Sequence, residues 1–134
     1  MKISKYNSFV FDCDGVLLNS NSIKTKAFSS IFKPYGTDVA NQMVNYHINN
    51  GGISRYKKIK YFIENYIENK DDKYRENVEI KLLNEFSKIV RNKLLMTKVC
   101  DNLNLLKTSS KNTKWFIVSG GDQNELHYTF KKKK

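Results

Sequence analysis

Two cysteines in 134 residues, Cys13 and Cys100, are too few for a disulfide framework, and no secretory leader accompanies them. The Met1–Tyr6 segment carries charges but runs straight into an apolar segment ending in carboxylates, so it does not read as a signal peptide. No stretch approaches the roughly 18 apolar residues of a membrane helix, and no membrane partner is expected. Acidic residues are also scarce, 13 against 24 basic ones, for a formal charge of +11. The last four residues, all lysine, supply 4 of that charge. A basic balance invites a nucleic-acid partner. Here the lysines are scattered along helical faces, with no zinc-finger or RNA-recognition signature, so none is expected. An anionic substrate or solvation accounts for the charge as well. These absences together point to a soluble, cytoplasmic protein, long enough for one domain or a small core with an insertion.

What is present is concentrated in residues 9–20. Phe9-Val10-Phe11 reads as a short buried strand, and Asp12 and Asp14 follow it one residue apart, with Gly15 directly after. Side chains on a strand repeat every two residues, so both carboxylates leave the sheet edge on the same side. Gly15 lets the backbone turn sharply and approach a ligand. Leu17 and Leu18 can close over the loop, and Asn19 or Ser20 can cap a following helix. Two carboxylates at a strand's carboxyl end, beside freed backbone groups, suit a hard cation plus an oxyanion.

Helical periodicity then runs without a strand from Ser22 to Met96. A first helix over 22–32 places Ile23, Ala27, Phe28 and Ile31 on one face, and Pro34 and Gly36 stop it. Asp38 can cap a second helix carrying Val39, Met43 and Val44. Asn49-Asn50-Gly51-Gly52 is the strongest internal break. A third helix is predicted over 54–69 and a fourth, the longest, over 72–96, the latter with Val78, Leu82, Phe86, Val90 and Leu94 at helical spacing. Asp101 can cap a short helix. Residues 114–118 form the second convincing strand, closing in Ser119-Gly120-Gly121-Asp122 ahead of a last helix with Leu126 and Phe130 on its core side. Strand, Gly-rich turn and helix make half of a doubly wound α/β unit, whose ligands sit beyond the strand carboxyl ends. His47 and His127 have no metal-ligand partners in sequence and read as core or surface residues.

The run from Phe9 to Ser20 resembles the first motif of the haloacid dehalogenase-like hydrolases, an apolar strand ending in Asp-x-Asp-Gly-Val. Val118-Ser119-Gly120-Gly121 is similar to that family's second motif, an apolar strand closing in Ser or Thr. The resemblance implies a Rossmann-like α/β core at residues 1–20 and 97–134 with an all-helical cap at 21–96, inserted after the first strand. It also implies Mg2+-dependent hydrolysis of a small phosphate ester through an aspartyl-phosphate. Asp12 would be nucleophile and metal ligand. Asp14 would be general acid/base and offer its backbone carbonyl to the metal. Ser119 and the amide of Gly120 would hold phosphoryl oxygens. An aspartate at the second position favours phosphate esters over haloacids.

Gly52-Ile53-Ser54-Arg55 resembles the Gly-Val-Ser-Arg cap segment of sugar-phosphate mutases and their phosphatase neighbours, which implies Arg55 as a substrate-binding residue. An exposed arginine in a helix's first turn is the other reading. The run from Gly51 to Lys58 also looks like uncharacterised relatives encoded with surface-polysaccharide genes, which implies a sugar phosphate. The family pattern continues with a lysine and a strand ending in paired acidic residues, whereas the chain stops at Lys134. A core lacking its C-terminal strands is therefore expected, from a frameshift in an A-rich coding tract or with a basic tail, and poor turnover with it. A catalytically inactive remnant or phosphate-binding module is the alternative to a phosphatase, and the oligomeric state is not specified by the sequence.

Overall fold

A computed structural model describes residues 6–109 and 112–133. Two strands, β1 (Ser8–Asp12) and β2 (Lys114–Val118), pair in parallel with Ser8 opposite Lys114 and Asp12 opposite Val118. Their carboxyl ends are therefore level. Between them run four long helices: α1 (Asn21–Phe32), α2 (Thr37–Asn49), α3 (Arg55–Tyr66) and α4 (Asp72–Met96). The short α5 (Leu103–Ser109) precedes β2, and α6 (Gln123–Lys132) follows it. This is the expected α/β class, a partial parallel core with an all-helical cap after its first strand.

The helices form where apolar spacing and end chemistry agree. On α4, Val78, Leu82, Phe86, Val90 and Leu94 fall at successive i, i+4 positions, and all five are buried. Asp71 caps that helix by accepting from the Tyr74 amide at 2.7 Å. Ser54 caps α3 by accepting from Lys57 N, and Asp122 caps α6 by accepting from Glu125 N at 3.0 Å. A 3-10 turn, Lys33–Tyr35, carries Pro34 and ends α1. Gly36, at φ +122°, turns the chain into α2. Asp38 thus lies in the first turn of α2 and not at its cap, because glycine takes the cap conformation.

The packed centre lies among α1–α4. Phe28 meets Phe86 with ring centroids 4.6 Å apart, Phe32 meets Phe62 at 4.4 Å, and all four rings are buried. The sheet departs from the buried strands predicted. Phe9, Phe11 and Trp115 pack together with ring centroids 5.1–6.0 Å apart, but Val10 is 63% exposed and Phe116 50%. Alternation along a strand sends these residues to opposite faces. Among the described residues no layer covers the outer one.

Candidate active site

At the tip of β1 the chain makes a tight loop. Leu17 N and Leu18 N both donate to Cys13 O, and Gly15 N donates to Leu18 O at 2.7 Å. Gly15 has φ +76°, and a Cβ there would meet Asn21 Nδ2 at 2.6 Å, so only glycine fits. Cys13, Leu17 and Leu18 are buried beneath the loop and anchor it, which leaves the intervening Asp12 and Asp14 turned outward. Burial, then the charge of Asp14, pushes the Cys13 thiol up to about 11, so it stays protonated and inert.

The two carboxylates are held differently. Asp12 is exposed; its Oδ1 accepts from Cys13 N at 2.7 Å, and its Oδ2 has no hydrogen-bond partner among the described residues. Asp14 Oδ1 accepts from Ser20 Oγ at 2.5 Å and Oδ2 from Lys24 Nζ at 2.5 Å. Burial pushes the Asp14 carboxyl up, but the hydrogen bonds from Lys24 and Ser20 outweigh it and hold the group below the ordinary carboxylate range. Ser20 stands at the start of α1 and makes no side-chain cap; its hydroxyl donates to Asp14.

Both aspartates line a cavity of about 480 Å3. Its other walls come from Asn21, Lys24, Thr25 and Phe28 of α1, His47 and Ile48 of α2, the 51–54 loop, Arg55 and Lys58 of α3, Phe86 of α4, and Gly120 and Gly121. Ser119 follows β2 at the same end of the sheet as Asp12, but it is not among the lining residues. Its hydroxyl accepts from Gly121 N at 3.0 Å.

Arg55 lines the cavity, yet its guanidinium is engaged. Nη1 and Nη2 donate to the Glu125 carboxylate at 2.9 and 3.0 Å, Nη1 also reaches Ser87 Oγ at 3.1 Å, and the group lies 5.0 Å from the Phe86 ring centroid. Neighbouring Tyr56 donates to Asp122 Oδ2 at 3.1 Å. The start of α3 is thereby clasped to the start of α6, and Arg55 is a buried ion-pair residue, not the exposed arginine of the other sequence reading.

Two cavity lysines are not singled out by sequence, and His47 is read there only as a core or surface residue. Lys24 stands four residues after Ser20, so the two share a helix face and can meet one carboxylate; that spacing was the available signal. Lys58 Nζ lies 2.8 Å from His47 Nδ1 and 3.3 Å from His47 O, within an interior where Lys58 is only 1% exposed. Burial and the charge of Lys24 push its ammonium below the usual lysine value. An ammonium only donates, so His47 accepts through Nδ1 and is the neutral Nε2–H tautomer.

Burial, then the charges of Lys58 and Lys24, pull His47 down to about 4. An unfolded histidine titrates near about 6.5. The unfolded chain therefore takes up a proton that the folded one refuses, and stability is expected to fall as pH drops from about 6.5 to about 4. The loss levels off at roughly 3 kcal/mol. Urea denaturation of wild type and His47→Gln across that range measures it. The stability difference between the two should change within this window, and a constant difference would mean that His47 titrates as in water.

The arrangement brings two lysines and a carboxylate with one unbonded oxygen onto the wall of one cavity, beside a second carboxylate tied to a cation. Searches of curated proteins and of solved structures gave no match to the chain. The sequence model of the haloacid dehalogenase-like hydrolases matches residues 9–134, nearly the whole chain and both strand-tip motifs, and the protein belongs to that family.

Proposed function

We propose that the protein is a Mg2+-dependent phosphohydrolase that acts on a small phosphorylated metabolite, a sugar phosphate, through an aspartyl-phosphate. The observation that carries this reading is the contrast between Asp12, with an unbonded carboxylate oxygen, and Asp14, tied to Lys24 and Ser20, on the wall of one cavity. Two carboxylates in unlike environments suit two unlike roles. Residues 1–20 and 97–134 form the catalytic core in this reading, and residues 21–96 the cap. Two unpaired cysteines suit a reducing, cytoplasmic setting.

The donor set fits magnesium. Asp12 would offer Oδ1, which keeps lone-pair capacity beyond the bond it accepts from Cys13 N, and Asp14, whose side chain is occupied, would offer its backbone carbonyl. Among the described residues no three His, Cys, Asp or Glu side chains cluster as a cage. Magnesium needs none, since it keeps several waters and takes further oxygens from substrate phosphate. When bound it would offset the repulsion between Asp12 and a phosphate dianion.

Asp12 Oδ2 attacks phosphorus, and the ester P–O bond breaks. Asp14 passes a proton to the departing alkoxide, and afterwards takes one from the water that attacks the phosphoryl group and frees Asp12. The ionised Asp14 of the resting site is the form needed for that second half. The first half needs it protonated: it takes up one solvent proton as the substrate binds, which the like charge of an approaching dianion favours. Ser119 accepts from Gly121 N, which leaves its O–H to donate to a phosphoryl oxygen beside the Gly120 amide. Arg55 reaches the substrate by exchanging Glu125 for the phosphate that is cleaved.

Asp14→Asn tests the assignment through leaving-group dependence. First-turnover release of an alkyl alcohol should fall on the order of 10²–10⁴-fold, against a much smaller loss for para-nitrophenol, which leaves without a proton. Equal losses for both esters would remove Asp14 from the acid role.

A further inference from the structure

The cavity holds three cations, and two of them are paired with carboxylates. Lys24 is paired with Asp14, and Arg55 with Glu125. Lys58 has no carboxylate partner among the described residues. Its ammonium donates to the neutral His47 ring and to His47 O, and lies 5.8 Å from the Phe28 ring centroid. Two of its three N–H groups are used, which leaves one for a ligand. A buried ammonium with only neutral partners, near a second lysine, is costly unless an anion completes it. The same cavity carries Asp12, Asp14 and Gly120, and its volume of about 480 Å3 takes a small metabolite whole.

We propose that Lys58, oriented by His47, binds a second anionic group on the substrate, so that the preferred ester carries a carboxylate or a second phosphate besides the phosphate that is cleaved. This rests on the phosphohydrolase reading for the cleavage itself. An ammonium is a point charge without arginine's fork, so it accepts either anion.

The test is calorimetric binding of three probes to the full chain in Mg2+ at neutral pH: ethyl phosphate, 2-phosphoglycolate and propane-1,3-diyl bisphosphate. Wild type should bind at least one doubly anionic probe tighter than ethyl phosphate by on the order of ten- to a hundredfold, as for a charged hydrogen bond in a buried site. The probe that gains more identifies carboxylate or phosphate as the second group. Lys58→Met should erase the preference and leave ethyl phosphate binding unchanged, while Lys58→Arg retains it. Lys58→Gln, which keeps polarity without charge, serves if the methionine variant fails to fold. No preference in wild type, or one that persists without the charge, overturns the proposal. So does a Lys58→Met protein that loses only stability, which would make Lys58 a tie to the end of α2. Binding preference without hydrolysis of any ester counts against the phosphohydrolase and supports the subsite; hydrolysis without preference does the reverse.

Discussion

Glu125→Ala should lower folding stability by about 3–5 kcal/mol, the range for breaking a buried ion pair from one side. Both side chains are almost completely buried, 6% exposed for Arg55 and 5% for Glu125, and two parallel N–H···O bonds join them. Removing the carboxylate strands a guanidinium in a protein interior, where Ser87 and the Phe86 face are its remaining partners. Replacing both residues, as in Arg55→Met with Glu125→Leu, removes the charge along with its partner, and should cost much less than the single change. Denaturant midpoints for Arg55→Met, Glu125→Leu and the double variant form a cycle that isolates the coupling. Costs that simply add would show that the pair is solvated. The same cycle bears on the cap, because the α3–α6 clasp must loosen for Arg55 to meet a ligand.

Asp12→Asn should reduce phosphate release from any monoester on the order of 10⁴-fold or more, the scale of removing a nucleophile that acts as part of a unit. An amide does not attack phosphorus and has no charge to offer a cation. Stability should change by no more than about 0.5 kcal/mol, since the side chain is exposed and the amide oxygen still accepts from Cys13 N. A large loss of activity without a loss of stability separates a chemical role from a structural one. Phosphate release with Mg2+, alongside urea denaturation of the same preparations, reads both.

Much of the architecture could be read from spacing. The i, i+4 run from Val78 to Leu94 located α4 at its observed bounds, and the Gly51-Gly52 break separated α2 from α3. Asp12 and Asp14 were visible because a strand, two carboxylates and a glycine are local features, and the loop geometry that turns them outward is local too. What escaped sequence reading depends on residues distant in the chain. Glu125 lies 70 positions from Arg55, and its place three residues after the Asp122 cap explains its position on the helix but not its partner. His47 read as a core or surface residue because nothing nearby in sequence announces Lys58, 11 positions on and across a loop. Asn19 or Ser20 reads as a cap by residue type, whereas Ser20 turns its hydroxyl to a carboxylate six residues back and accepts no helix amide. Strand burial was overcalled for a different reason: an apolar run reports hydrophobicity, not how many layers cover it.

The central claim is that Asp12 takes the phosphoryl group. Mixing the protein with a phosphate monoester and Mg2+, quenching in acid within one turnover and trapping the acyl phosphate with borohydride before peptide mapping tests it directly. The account predicts a trapped adduct on Asp12 that forms with wild type and, with para-nitrophenyl phosphate, whose leaving group needs no acid, accumulates further in Asp14→Asn, where the water that clears it loses its base. An adduct at any other residue, or phosphate release by Asp12→Asn at the wild-type rate, would contradict it.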